Sequence, residues 1–138
     1  YASHPGALSA AACVQAYLDA GIPAGKLMLG VAFYGHRWAT KNETPLYLPA
    51  SKKGTISYAA IARLLRKTPN ATHFDQSAQA PYFFDGKTFI SYDDEQSISQ
   101  KRLYAQERQL MGLFAWEYGS VADGMLIGAM MGTHAANP

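Results

Sequence analysis

Two short runs constrain this chain more than anything else in it: LMLGVAF at 27–33 and MGLFAW at 111–116. Each is apolar from end to end, and each follows a helical pattern after a short loop. A strand with one wet face alternates apolar and polar residues, whereas a continuous run expects cover on both faces. Helix, short loop and buried strand is the rhythm of an α/β protein with parallel strands.

The flanking helices carry their own punctuation. In SAAACVQAYLDA, 9–20, the apolar positions 10, 13, 14, 17 and 18 fall on one helical face. Ser9 is placed to cap the start, and Gly21 followed by Pro23 marks the stop. Cys13 then reads as a small core residue of that face. A second helix is expected from about 95 to 108, with Ile98, Lys101, Tyr104 and Ala105 on one side. Asp93 or Asp94 caps it, and Gln96 stands three residues after Asp93 as in a capping box. Lys101 sits midway along that face and is expected to bury its stem and reach a carboxylate. MLIGAMM forms a last apolar helix.

Between the two runs the rhythm breaks. Residues 37–92 hold Pro45, Pro49, Pro69 and Pro81, a Lys52-Lys53-Gly54 turn and one helix, SYAAIARLLRK, with Tyr58, Ile61, Ala62 and Leu65 on one face. PYFF and TFISY flank Asp85-Gly86, a strong hairpin signal. The chain therefore divides into 1–36, helix plus strand; 37–92, a small α+β unit; and 93–138, helix, strand and final helix.

Several function classes are excluded early. A formal charge of +2, with Lys52-Lys53 as the longest basic cluster, does not argue for nucleic acid or an anionic membrane surface. One cysteine rules out an internal disulfide framework. His4, His36, His73 and His134 are scattered, without metal-ligand spacing. No apolar run reaches membrane-spanning length. The chain opens on Tyr1, which suggests a mature or excised piece. Asn42-Glu43-Thr44 and Asn70-Ala71-Thr72 match glycosylation acceptors, a pattern common by chance.

KLMLGVAFYG, then AQAPYFF and FISYDDEQSI, then GLFAWEYG, in that order and spacing, resembles family 18 glycoside hydrolases, the chitinases and their relatives. The resemblance covers about residues 8–131. It implies an α/β fold: part of a TIM (β/α)8 barrel, with 27–33 and 111–116 as the seventh and eighth strands. It makes 37–92 the chitinase insertion domain, an α+β wall of the substrate groove.

The resemblance also assigns residues. Barrel enzymes work at the C-terminal ends of their strands, and Tyr34 and Trp116 follow their runs directly. Taken by itself, an aromatic at a strand end is core packing. By resemblance, Tyr34 lines the subsite where the bond is cut, and Trp116 is the floor under that sugar. A pyranose stacks its flat apolar face on such a ring, while a phenol hydrogen-bonds polar groups. The family often carries Arg directly after FYG. Here His36 stands there, and Arg37 is the candidate to supply that contact from a shifted loop. Tyr82 either lines the groove wall or packs inside the insertion. Glu117 is expected to point away from the side of Trp116 and to form a structural ion pair, because a strand alternates sides. Asp93 and Asp94 look like a paired-carboxylate site, but capping and holding the insertion onto the barrel is the preferred reading.

Family 18 catalysis uses an acidic cluster, D-x-x-D-x-D-x-E, whose Glu protonates the leaving oxygen while the substrate's N-acetyl oxygen attacks; such substrate-assisted families lie outside the two-carboxylate scheme. The ten acidic residues here include no such cluster. The resemblance thus implies the C-terminal part of a retaining chitinase acting on β-1,4-N-acetylglucosamine polymers, with no cofactor and a secreted location, and no catalytic residue in this chain. Its barrel strands expect cover from a missing N-terminal segment or a second copy. A chitinase-like lectin, and an independent α+β module whose aromatics are only core, are the alternatives.

Overall fold

The computed structural model describes residues 8–40, 46, 51–120 and 124–133. His4, His134, Pro45, Pro49 and the Asn42 acceptor lie outside them. Helix α1 (Ala10–Asp19) leads through a short 3-10 turn into β1 (Met28–Ala32) and then directly into β2 (Tyr34–Ala39). Next come β3 (Ser51–Ser57), α2 (Tyr58–Lys67), β4 (Thr72–Asp75), β5 (Ala80–Phe84) and β6 (Thr88–Ser91). The chain finishes with α3 (Glu95–Glu107), β7 (Gly112–Trp116) and α4 (Met125–Met131).

These strands make two sheets. β1 and β7 pair in parallel, from Met28↔Gly112 to Ala32↔Trp116. The other five form an antiparallel sheet in the order β3-β2-β6-β5-β4. The chain changes sheets at Phe33: its N–H donates to the Trp116 carbonyl at 2.7 Å, and its carbonyl accepts from Tyr58 N–H at 3.0 Å. The antiparallel sheet therefore starts at Tyr34, inside the segment expected to be a strand-end rim, rather than at 37. The β5–β6 hairpin forms as expected. Its turn has three residues, 85–87, with Asp85 Oδ1 accepting from Lys87 N–H (3.0 Å) and Thr88 N–H (2.7 Å).

One face of the antiparallel sheet is the core. Gly35, Phe83 and Ile90 point to α2, whose Tyr58, Ile61 and Ala62 are buried. A Cβ added to Gly35 would lie 2.8 Å from Ile61 Cδ1 and 2.8 Å from the Ser91 carbonyl. Gly35→Ala must push the helix or the strand aside, and we expect it to destabilise the fold by about 1–3 kcal/mol. Urea midpoints test this, and an unchanged midpoint would mean that α2 is not seated on the sheet as described. The same cluster continues through Val31, Phe33, Ile98 and Leu126, joining both sheets.

The β1–β7 pair is covered on one face. Leu29 and Val31 are buried, and Leu113 and Ala115 pack against the core. The other face is open: Met28 and Phe114 are each 46% exposed and Trp116 is 64% exposed. No layer among the described residues covers it, and this is the apolar face for which the sequence reading expects cover from a missing segment or a second copy. The Phe114 ring lies over Gly30, where an added Cβ would meet it at 3.0 Å.

Two helical expectations also change. In α1 only Val14 is buried; Cys13 and Tyr17 are exposed, because a short Ala-rich helix leaning on α3 covers only a narrow stripe. In α3 the cap is Asp94, and its reciprocal partner is Ser97 rather than Gln96. Asp94 Oδ1 accepts from Ser97 N–H at 2.8 Å, and Ser97 Oγ accepts from Asp94 N–H at 3.0 Å. Burial pushes the Asp94 carboxyl above its ordinary value, against these hydrogen bonds, which pull it down.

Candidate functional site

The Phe33–Trp116 hydrogen bond holds the carboxyl ends of β1 and β7 together, and the start of β2 and the end of β3 arrive at the same place. There an open cleft of about 460 Å³ is lined by Tyr34, His36, Thr55, Ile56, Ser57, Trp116 and Glu117. That volume falls within the usual range for small-molecule sites. Tyr34 and His36 share a face of β2, and their rings meet edge to face at 5.5 Å. The His36 ring also leans on Trp38 at 5.7 Å. Its Nδ1 is buried without a hydrogen-bond partner among the described residues, a condition polar groups seldom keep unless a ligand or water completes them.

Of the residues expected at a site, the structure brings Tyr34 and Trp116 to one cleft. Arg37 is not with them: it alternates onto the opposite face of β2 and is exposed there. His36, in the place where the family often has Arg, faces the cleft instead. Tyr82 sits on the open face of the sheet, stacked on His73 at 5.0 Å and tilted on Phe89 at 5.5 Å, outside the cleft. Burial, with the Asp75 carboxylate beside it, raises its phenol above the ordinary value.

Glu117 corrects the expectation directly. It lines the cleft beside Trp116, and no ion pair holds it among the described residues. Alternation stops applying because β7 ends at Trp116; the Trp116–Glu117 peptide is cis. Thr55, Ile56 and Ser57 had no signal in the sequence, since SKKGTIS lacks an apolar pattern.

The Asp93–Asp94 pair is not a paired-carboxylate site. Asp94 caps α3. Asp93 is buried and receives Lys101 Nζ on both oxygens, at 2.7 and 2.6 Å. It also accepts from Ser97 Oγ at 2.9 Å and from Ala32 N–H at 3.3 Å. Lys101 thus reaches a carboxylate as expected. These residues border a second cavity, of about 280 Å³, between α1, β1 and α3. Its charged groups already satisfy one another, so it offers a ligand little.

The family model for glycosyl hydrolases family 18 matches residues 1–120. The chain belongs to glycosyl hydrolase family 18. Among its family 18 relatives, a class V chitinase of Arabidopsis thaliana is 33% identical over 113 residues, covering 77% of this chain and 30% of that protein. A mutant class V chitinase from Nicotiana tobaccum, solved in complex with NAG4, superposes with a TM-score of 0.81 at 29% identity, covering 89% of this chain and 38% of that one. The chitinase-like agglutinin from Robinia pseudoacacia superposes with a TM-score of 0.80 at 33% identity, covering 92% and 38%. The family 18 chain described here therefore spans about a third of the length of these relatives. No helix among the described residues is long and apolar enough to cross a membrane.

Proposed function

We propose that this chain is the C-terminal part of a secreted chitinase that cleaves β-1,4-linked N-acetylglucosamine polymers with retention. In this reading β1 and β7 are the seventh and eighth strands of a (β/α)8 barrel, and the antiparallel sheet with α2 is the insertion domain that walls the groove. The observation that carries it is the convergence of Tyr34 and Trp116 at the carboxyl ends of two parallel strands, where barrel enzymes bind substrate. Trp116 keeps 64% of its surface exposed, as a stacking floor requires. The acid that protonates the leaving oxygen comes from outside this chain, since the sequence has no D-x-x-D-x-D-x-E cluster. The N-acetyl group of the substrate supplies the nucleophile.

The test is Trp116→Ala in the complete protein. Losing an aromatic face worth about 1.5–3 kcal/mol lowers kcat/KM roughly 10-fold or more. The melting temperature moves little, because the ring is not core here. A variant that melts far lower while its folded fraction keeps normal activity would make Trp116 a packing residue and end this assignment.

A lectin without hydrolase activity is the second reading, favoured by the agglutinin among the structural neighbours. It keeps the same cleft and the same role for Trp116, and differs in having no catalytic acid. Chitooligosaccharide binding without turnover by the complete protein would select it.

A further inference from the structure

We propose that Asp93 and Lys101 are positioning residues for the cleft: the buried Asp93 carboxylate, pinned by Lys101, clamps the junction between the two sheets and so sets where Tyr34 stands relative to Trp116. This rests on the carbohydrate reading of the cleft given above and adds what holds its two walls in register. Tyr34, His36 and residues 55–57 reach the cleft from the antiparallel sheet, and Trp116 and Glu117 from the end of β7. No loop separates the two walls, since Phe33 alone stands between β1 and β2. A displacement of Ala32 therefore reaches Tyr34 with little slack, because packed interiors transmit strain. Two hydrogen bonds hold the junction from opposite edges of β1. Phe33 N–H donates to the Trp116 carbonyl at 2.7 Å, on the β7 side. Ala32 N–H, one residue earlier, turns to the other edge and donates to Asp93 Oδ2 at 3.3 Å. Asp93 stands where the chain returns from the antiparallel sheet, two residues past the last β2–β6 pair, His36↔Ser91. Its carboxylate thus ties the returning chain to the departing one. It is buried, Lys101 Nζ holds both its oxygens at 2.7 and 2.6 Å, and Ser97 Oγ donates to it at 2.9 Å. A buried ion pair is weak evidence for stability, since well-packed apolar residues of similar volume often serve as well. One aimed at a single backbone N–H beside the cleft points to geometry as what it secures.

The experiment uses the complete protein and a soluble N-acetylglucosamine tetrasaccharide, with kcat/KM taken per folded molecule well below every variant's melting temperature. If the complete protein binds without turnover, dissociation constants are compared in the same way. Asp93→Asn/Lys101→Met keeps an oxygen for Ala32 N–H, and Asp93→Val/Lys101→Met removes it. The Val double variant is expected about tenfold below the Asn one, since a misplacement of roughly 1 Å can cost more than that. In the Tyr34→Phe background the difference shrinks to about twofold or less, because residues that act through one another are not additive. A merely structural role would leave the difference the same in both backgrounds. Lys101→Met alone is the second probe, should the Val variant fail to fold. It leaves a charged carboxylate drawn toward water, and activity falls about threefold with Tyr34 present and stays level in Tyr34→Phe. Equal activity of the two double variants, or a loss that persists undiminished in Tyr34→Phe, overturns the proposal while leaving the carbohydrate site standing. A Tyr34→Phe variant as active as the wild type removes Tyr34 from the site and overturns the proposal with it. Failure of the complete protein to bind the tetrasaccharide overturns the carbohydrate reading itself.

Discussion

Purified by itself, this chain turns over a fluorogenic chitobioside no faster than buffer. In the proposed reading the cleft holds a sugar between Tyr34 and Trp116, but general-acid help alone is worth roughly 10²–10⁴-fold. Glu117 is the one carboxylate among the described residues that line the cleft. In the proposed reading the acid comes from outside this chain, whose sequence has no D-x-x-D-x-D-x-E cluster. Production in a host without chitinases removes the usual contaminant. Turnover comparable to complete family 18 chitinases would show that an acid within these 138 residues suffices, with Glu117 the first to substitute.

Lys101→Met lowers stability by about 3 kcal/mol, or about 10 °C in melting temperature for a domain of this size. The substitution leaves the Asp93 carboxylate buried, with its side chain 9% exposed and its ion-pair partner gone. Water reaches Lys101, whose side chain is 28% exposed, which places the loss at the low end for a broken buried pair. The double variant Asp93→Asn/Lys101→Met recovers much of the loss, because an amide needs no counter-charge: its one oxygen can still accept from Ala32 N–H, and its NH2 can donate to Ser97 Oγ. Differential scanning calorimetry of the two single variants and the double completes the cycle. A fall within 2 °C or so for Lys101→Met, on the same scale, would show that water already screens the pair.

Much of this architecture was readable from local signals. Ser9 caps α1, the Asp85-Gly86 turn sits between β5 and β6, and the two apolar runs pair in parallel. The less legible parts are those set by tertiary partners. β2 reads YGHRWA, in which large rings alternate with small or basic residues; that alternation matches a strand, but the segment reads as the end of the preceding strand. Reading Tyr34, His36 and Trp38 as one face would have set Arg37 on the other. β3 and β4 are polar, and pairing with neighbours rather than composition makes them strands. The cap at Asp94 depended on which neighbour Asp93 chose, and Lys101 decides that from two turns away. Of the site, Tyr34 and Trp116 were legible because each directly follows an apolar strand. Glu117 was not, since strand alternation was carried one residue past the end of the strand.

The hydrogen bond from Ala32 N–H to Asp93 Oδ2, 3.3 Å long, joins residues 61 positions apart in the chain. The intervening segment leaves and returns at one point, so its length and content can diverge without moving β1 or β7. The same geometry bears on the order of folding. β1 and β7 are distant in sequence, and direct pairing of such strands is slow because the long loop must close first. Between them β2–β3, β4–β5 and β5–β6 pair sequence neighbours, and the β2–β6 ladder, from His36↔Ser91 to Ala39↔Thr88, closes the segment and holds Ala32 and Asp93 side by side. The long loop is then closed already, and only the short path through α3 remains before β7 meets its partner.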